Sequence, residues 1–100
     1  LSGQIGKDPV SGVLDNEGPI AEEIALVFAN LTTVAQAAGG SLARLIKLTI
    51  FLTDLKDFTA VNEAMMSRFH QPYPARSTVE VAALPAGARV EIEAIMLIND

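Results

Sequence analysis

The sequence predicts one small domain of the α+β class, in which two helices cover one face of a β-sheet. The chain has 100 residues, enough for a single domain, which we expect to span residues 1–100. Helical periodicity and strand-like alternation follow each other in the order β, α, β, α, β, β. No internal repeat or interdomain linker interrupts this order, so one sheet with its helices packed on one side is the predicted architecture.

The first half of the chain predicts a strand, a turn and a long helix. "LSGQIG" is the strand and "KDPVSG" the turn. In "GPIAEEIALVFANLTTVAQAAGG", Pro19 suits the first helical position and Gly39-Gly40 ends the helix. The twenty residues 24–43 carry no formal charge, the length of a membrane span, but polar residues interrupt them. A buried amphipathic helix is therefore predicted, with an apolar stripe of Ile20, Ile24, Val27, Phe28, Leu31, Val34, Ala35 and Ala38.

The second half predicts a strand, a second helix and two further strands. "LIKLTIFLTD" is rich in β-branched and aromatic residues, as strands are. "DFTAVNEAMMSRF" is the helix, with Asp57 as its N-cap and Met65-Met66 filling the core. "RSTVEVAAL" and "ARVEIEAIMLI" are strands on either side of the turn "PAG". The buried side of the second helix is predicted to be Phe58, Val61, Met65 and Phe69.

The last strand predicts a sheet with apolar side chains on both faces. Alternation puts Val90, Ile92, Ala94, Met96 and Ile98 on one face and Glu91, Glu93, Ile95 and Leu97 on the other. Two helices cover only one face, so Ile95, Leu97 and Phe51 need another cover. Burying each such side chain contributes about 1.5–3 kcal/mol. We therefore expect copies of the protein to associate through this face.

Composition limits the classes of partner. The net charge of −5 and seven scattered basic residues disfavour binding to nucleic acid or to an anionic membrane. The absence of cysteine excludes a disulfide or a thiol nucleophile, and with His70 as the one histidine we predict no metal site. A cytoplasmic location fits this composition. The chain starts without methionine inside a predicted strand, so we expect an N-terminal strand segment to precede Leu1.

Two charged residues near strands are candidates for a site, and the residues alone leave their roles open. Arg76 opens a strand, where it suits either a ligand or an ion pair with Glu80, Glu91 or Glu93. Glu91 suits either a solvated strand face or a site. Glu93 is predicted to be structural, as a partner of Arg89 or of another subunit. Asn62, early in a helix, is as well explained by a local hydrogen bond as by a pocket.

Three segments of the sequence resemble one known family along essentially the whole chain. "SGQIG", "FLTDLKDFTAVNEAM" and "PARSTVEVAALPAGARVEIEA" are similar in order and spacing to the RidA/YjgF/YER057c/UK114 family. The resemblance implies a chorismate-mutase-like protomer with a mixed β-sheet, assembled as a homotrimer with a cleft at each subunit interface. It also implies hydrolysis of reactive 2-imino or enamine acids to 2-oxo acids and ammonia, without metal or cofactor.

The resemblance also implies roles for the charged residues. The carboxylate-binding arginine of the family falls on Arg76, and the glutamate associated with the hydrolytic water falls on Glu91. Thr78 stands where the family often has cysteine. In the family, the backbone N–H of the residue at this position helps to hold the substrate carboxylate, and that donor does not depend on the side chain. A guanidinium suits a planar carboxylate, and one carboxyl group can act as base and then acid.

Three further positions match the pocket of the family. Its asparagine falls on Asn62, three residues nearer to Arg76 than in the best-known members, so the loop His70–Ala75 is predicted to be trimmed. Ser2 and Gly3 match a stretch that lines the pocket. The implied ligand is thus a 2-imino acid or another small carboxylate, bound in an intersubunit site.

Two other functions remain open. One is a ligand-binding or regulatory trimer with the same cleft and little turnover. The other is an endoribonuclease or translation inhibitor, a label long attached to the family. The acidic balance and the lack of a basic and aromatic surface disfavour RNA as a substrate.

Overall fold

The computed structural model describes residues 1–98, and the remaining two residues of the predicted domain lie outside that range. The described elements follow the predicted order β, α, β, α, β, β, which confirms the α+β class. They are β1 Gln4–Ile5, α1 Ile20–Ala37, β2 Leu45–Leu52, α2 Phe58–Arg68, β3 Ala75–Glu80 and β4 Val90–Met96.

The four strands form one mixed sheet in the order β1-β4-β2-β3. β4 is antiparallel to both β1 and β2, while β3 is parallel to β2. A parallel pair needs a crossover connection, and α2 supplies it between β2 and β3. β3 therefore lies at one edge of the sheet, directly after the segment that follows α2.

α1 packs its predicted apolar stripe against the sheet. Pro19 takes the N-cap position rather than the first helical position. Gly39 follows the end of the helix and has a φ of +88°, a conformation that favours glycine. Ile24, Val27 and Leu31 are buried, while Ala38 lies beyond the helix end and is exposed. Within residues 1–98, no helix is both long and apolar enough to cross a membrane.

The core lies between the two helices and the inner face of the sheet. On β4, and on β2 from Leu48 onwards, it takes alternate residues, as the strand period requires. Leu45 also joins the core, ahead of a register shift between Leu45 and Lys47. Phe28 of α1 and Phe69, just after α2, meet edge to face at 6.1 Å between ring centroids. The buried hydrophobic cluster comprises Ile24, Val27, Phe28, Leu31, Leu45, Leu48, Ile50, Leu52, Val61, Met65, Phe69, Val90, Ile92 and Ala94.

Two predicted core positions on α2 are wrong. Met66 is 70% exposed, because one helical residue beyond the buried Met65 turns the side chain about 100° around the axis. Phe58 is 37% exposed, since it is the first residue of α2. Asp57 does occupy the N-cap position, although its side chain makes no capping hydrogen bond there.

The outer face of the sheet carries apolar side chains that the helices do not cover. Phe51 of β2 lies opposite Glu91 on one side and opposite Val79 on the other. Val79 and Ile95 are exposed in the protomer, as is Leu97 just after β4, while Phe51 is half-buried. The predicted two-sided apolar sheet is therefore present in the protomer.

Candidate functional site

Arg76 lies at the outer edge of the sheet, on the face that the helices cover. It pairs with Leu48 in the register between β3 and β2, and neighbours in register share a face. Its guanidinium therefore points towards α2. There Nη1 of Arg76 donates a hydrogen bond to Oδ1 of Asn62, and the Cζ atom lies 5.1 Å from the centroid of the Phe58 ring.

The start of α2 is fixed relative to β3 by hydrogen bonds to the preceding turn. Oε1 of Glu80 accepts a hydrogen bond from the backbone N–H of Leu55 at 2.9 Å. Oδ1 of Asp54 accepts another from the N–H of Lys56, which closes a 3₁₀ turn over Leu55–Asp57. The contacts of Arg76 with Phe58 and Asn62 depend on this arrangement.

The charge of Arg76 is not neutralised by any acidic side chain of residues 1–98. Ion pairs within that range join Lys56 to Asp54 and Arg89 to Glu23. The predicted alternative for Arg76, a pair with Glu80, Glu91 or Glu93, does not form. A half-buried guanidinium with an amide and a ring as neighbours keeps its attraction for an incoming anion.

A cavity of about 420 Å³ opens beside this guanidinium. It lies between α2 and the segment that leads into β3. Its walls are Asn62, Met65, Met66, Tyr73, Pro74 and Arg76. Two of these side chains are polar and four are largely apolar, a composition typical of small-molecule sites.

Thr78 adds donors close to Arg76, on the free edge of β3. The backbone N–H of Val81 donates to the carbonyl of Leu52 at 2.8 Å, so by alternation residues 77, 79 and 81 turn their N–H groups towards β2. The N–H groups of Arg76 and Thr78 therefore face outwards from the sheet. The hydroxyl of Thr78 is buried and has no hydrogen-bond partner among the described residues.

Glu91 lies on the opposite face of the sheet. It pairs with Phe51 of β2 and with Ile5 of β1, and its side chain is half-buried. Gly3 lies against this carboxylate, since a Cβ atom added to Gly3 would come within 2.6 Å of Oε2 of Glu91 and the glutamate side chain would have to shift. Ser2, beside it, is exposed. The structure thus brings Gly3 against Glu91, with Ser2 next to Gly3 in the chain.

One protomer does not bring Arg76 and Glu91 together. β2 lies between their strands, and Arg76 is level with Leu48 while Glu91 is level with Phe51. Two strand spacings and three residues along the sheet separate their Cα atoms by about 14 Å. The side chains also point to opposite faces. A single protomer therefore presents the predicted site residues as two separate groups, here called half-sites: Arg76 with Asn62 and Thr78, and Glu91 with Gly3 and the adjoining Ser2. The prediction of a site shared between subunits stays a prediction.

Sequence reasoning missed the role of Glu23. This glutamate of α1 is fully buried, and its Oε1 accepts from Nε of Arg89 at 2.6 Å. Arg89 also donates its backbone N–H to Oε2 of Glu23, at 2.8 Å, and Nη2 to the carbonyl of Gly18, at 2.7 Å. The predicted pairing of Glu93 with Arg89 is therefore wrong within the protomer. A signal was present, because Glu23, Val27 and Leu31 share the spacing of the apolar stripe.

The comparisons with known proteins agree with this architecture. The family described as Endoribonuclease L-PSP matches residues 1–98. The chain is 46% identical to a 2-iminobutanoate/2-iminopropanoate deaminase of Dermatophagoides farinae, an alignment that spans 99% of this chain and 77% of the relative.

Two solved structures extend the similarity to the fold. RidA from an Antarctic Psychrobacter superposes with a TM-score of 0.92 at 46% identity, over 98% of this chain and 78% of that one. TdcF of E. coli, solved with bound serine, gives a TM-score of 0.87 at 36% identity, over 98% and 78%. The chain therefore belongs to the RidA/YjgF/YER057c/UK114 family, whose sequence description is Endoribonuclease L-PSP.

Proposed function

We propose that the protein is a cytoplasmic, cofactor-free deaminase that hydrolyses 2-imino or enamine acids to 2-oxo acids and ammonia. The observation that carries the proposal is the half-buried guanidinium of Arg76, which borders a cavity and has no acidic partner among residues 1–98. The deaminase name of a relative at 46% identity supports the reaction type.

The proposed site forms between two copies of the chain in a homotrimer. Phe51, Val79 and Ile95 support association, because their apolar surface on the outer face is left uncovered in the protomer. The two half-sites support a shared cleft, since neither holds both a carboxylate-binding group and a free carboxylate. In the proposed assembly, Arg76 of one copy meets Glu91 of the next.

Arg76 holds and orients the substrate. Its guanidinium binds the carboxylate through two parallel hydrogen bonds, and the outward N–H of Thr78 adds a third donor. Asn62 accepts from Nη1 of Arg76 and so fixes the direction of the guanidinium plane. With its carboxylate fixed, the adjoining C2 atom lies at the mouth of the cavity, where water from the neighbouring half-site reaches it.

Glu91 of the second copy moves the proton. Water attacks C2 of the protonated imine while Glu91 takes a proton from that water, and the product is a carbinolamine. Glu91 then returns the proton to the amino nitrogen and the C–N bond breaks. Ammonia leaves while the hydroxyl group on C2 gives its proton to the Glu91 carboxylate, so that the C2–O bond becomes a carbonyl. An enamine enters the same route once it has tautomerised to the imine. No electron is gained or lost, and one water is consumed for each ammonia released.

The test is hydrolysis of 2-iminopropanoate generated in place, compared between the wild-type protein and two variants. We expect Arg76→Ala to lower kcat/KM by about 10²–10³, the loss typical of removing one fixed charge-stabilising donor. Arg76→Lys keeps the positive charge but loses the planar pair of N–H donors that binds a carboxylate bidentately, so we expect an intermediate loss of kcat/KM. Full activity in Arg76→Lys would contradict bidentate binding.

Two further results would identify the alternative functions, the second of them in a separate RNA-cleavage assay. A wild-type protein that binds small carboxylates through Arg76 and releases no ammonia above the spontaneous rate is a ligand-binding trimer. Cleavage of RNA that survives extensive purification and disappears in Glu91→Gln would support the ribonuclease activity in the family's description.

A further inference from the structure

The cavity beside Arg76 holds more than a carboxylate group needs. Arg76 and Asn62 occupy its polar side, and its remaining walls come from Met65, Met66, Tyr73 and Pro74. At about 420 Å³ it falls in the range of pockets that enclose whole small molecules, about 300–1,000 Å³. A three-carbon imino acid has only a methyl group beyond its reacting atoms, so it leaves most of this space unfilled.

The apolar walls are available to a ligand in the protomer. Met66 is 70% exposed and Tyr73 is 48% exposed, although both carry large apolar surfaces. Methionine adapts its shape to different apolar groups, and an aromatic ring offers a wide flat contact. These two side chains come from α2 and from the segment before β3, and both line the cavity that Arg76 borders.

We propose that this cavity binds the side chain of the substrate, and that the enzyme prefers 2-imino acids with branched or long apolar side chains. Imino acids derived from leucine, methionine and phenylalanine belong to this class. This inference rests on the proposed deaminase function and names its substrate class. The carboxylate lies on Arg76, the side chain extends between Met66 and Tyr73, and C2 stays at the mouth of the cavity.

The expected preference follows from the apolar surface that the substrate buries. One methylene group in a hydrophobic pocket typically changes specificity by about tenfold or more. A leucine-derived imino acid adds a branched three-carbon group to the alanine-derived one. We therefore expect kcat/KM for the leucine-derived substrate to be at least about tenfold higher.

The experiment generates each imino acid in place from L-leucine or L-alanine with an amino acid oxidase and catalase. The measured quantity is 2-oxo acid formed above the spontaneous rate. Met66→Gln keeps the length of the side chain and makes it polar, at an exposed position where folding tolerates the change. We expect it to lower the ratio of kcat/KM for the leucine-derived substrate to kcat/KM for the alanine-derived substrate at least about fivefold.

Val10→Gln is the matched control. Val10 is 95% exposed, and it does not line the cavity. This variant should leave both substrates unchanged. A second cavity variant, Tyr73→Ala, should lower the same ratio of the two substrates, because it removes another apolar wall of the cavity.

The outcomes separate this inference from the proposed function. If the wild-type protein hydrolyses both substrates equally well, or if Met66→Gln lowers both equally, the substrate inference is overturned and the deaminase function stands. If it hydrolyses neither, the deaminase function fails, and binding of pyruvate and 4-methyl-2-oxopentanoate, measured by calorimetry, decides the role of the cavity. We then expect the branched acid to bind at least about tenfold more tightly and Met66→Gln to reduce that ratio. Equal binding would overturn the inference.

Discussion

Arg76 and Arg89 both lie at the rim of the sheet, but their guanidinium groups have different partners. Arg89 meets a fully buried carboxylate, Glu23, and completes its hydrogen bonds with the carbonyl of Gly18. Arg76 meets the amide of Asn62 and the ring of Phe58, and no carboxylate of residues 1–98. One guanidinium is neutralised inside the protein, and the other is oriented without being neutralised.

The difference assigns the two arginines to different tasks. A buried carboxylate is costly without its cation, so Arg89 supports the folded state. An amide and an aromatic ring hold a guanidinium in place and leave its charge available to a ligand. We therefore expect Arg89 to contribute to stability and Arg76 to contribute to ligand binding.

The largest effect is expected from removing each arginine in turn and measuring unfolding in urea. Arg89→Ala leaves Glu23 buried and unpaired, so we expect the free energy of unfolding to fall by about 3–5 kcal/mol. Arg76→Ala removes no buried charge partner, so a loss of less than about 1 kcal/mol is expected. Equal losses for the two variants would contradict the assignment.

A smaller effect is expected from giving Arg76 the kind of partner that Arg89 has. Asn62→Asp changes an amide to a carboxylate of the same shape against Nη1 of Arg76. We expect affinity for small carboxylates, measured by calorimetry, to fall at least about tenfold, because the ligand must now displace an internal anion. Stability should change by less than about 1 kcal/mol.

Asn16→Asp is the control for that variant. It adds the same charge at a half-buried residue that does not line the cavity and whose amide donates to the carbonyl of Gly87. Ligand affinity should stay within about twofold of wild type, a change of less than 0.5 kcal/mol. If Asn16→Asp weakens binding as much as Asn62→Asp, net charge rather than a local ion pair explains the loss.

The smallest effect concerns Asp8, an exposed carboxylate whose partners are backbone groups. Hydrogen bonds from the N–H of Ser11 and then of Val10 lower the pKa of Asp8 below its usual 3.8. Its contribution to stability is therefore present above the unfolded-state pKa and is lost as pH falls through the lower folded-state value. We expect Asp8→Ala to unfold slightly more easily than wild type at pH 6 and equally at pH 2. A difference that persists at pH 2 would contradict this origin.

The fold was predictable because local pattern and tertiary structure agree. Alternation along β4 separates Ile92 and Ala94, in the core, from Glu91 and Ile95 on the outer face, as the sheet requires. The helical period of α1 likewise selects the residues that the sheet buries. Which of two adjacent apolar residues in a helix faces the core is harder to predict from the sequence, and Met66 was wrongly assigned to the core.

The site was only partly predictable because its parts are distant in sequence and lie on two faces. The resemblance indicated Arg76 and Glu91, but one-dimensional spacing does not reveal that β2 separates their strands. The apolar wall contributed by Tyr73 also had no sequence signal, because it depends on the path of the chain between α2 and β3. Glu23, by contrast, lay on a recognisable stripe and was predictable.

The central claim is that the deaminase site is completed by two copies of the chain, and complementation between inactive variants tests it most directly. Arg76→Ala and Glu91→Gln are co-expressed with different tags, and the mixed oligomers are purified and assayed for imine hydrolysis. In the proposed trimer, every mixed assembly places an intact Arg76 opposite an intact Glu91 in one of its three clefts, so about a third of wild-type activity should return. Mixed oligomers no more active than either variant alone, or a wild-type protein that is monomeric and fully active, would contradict the claim.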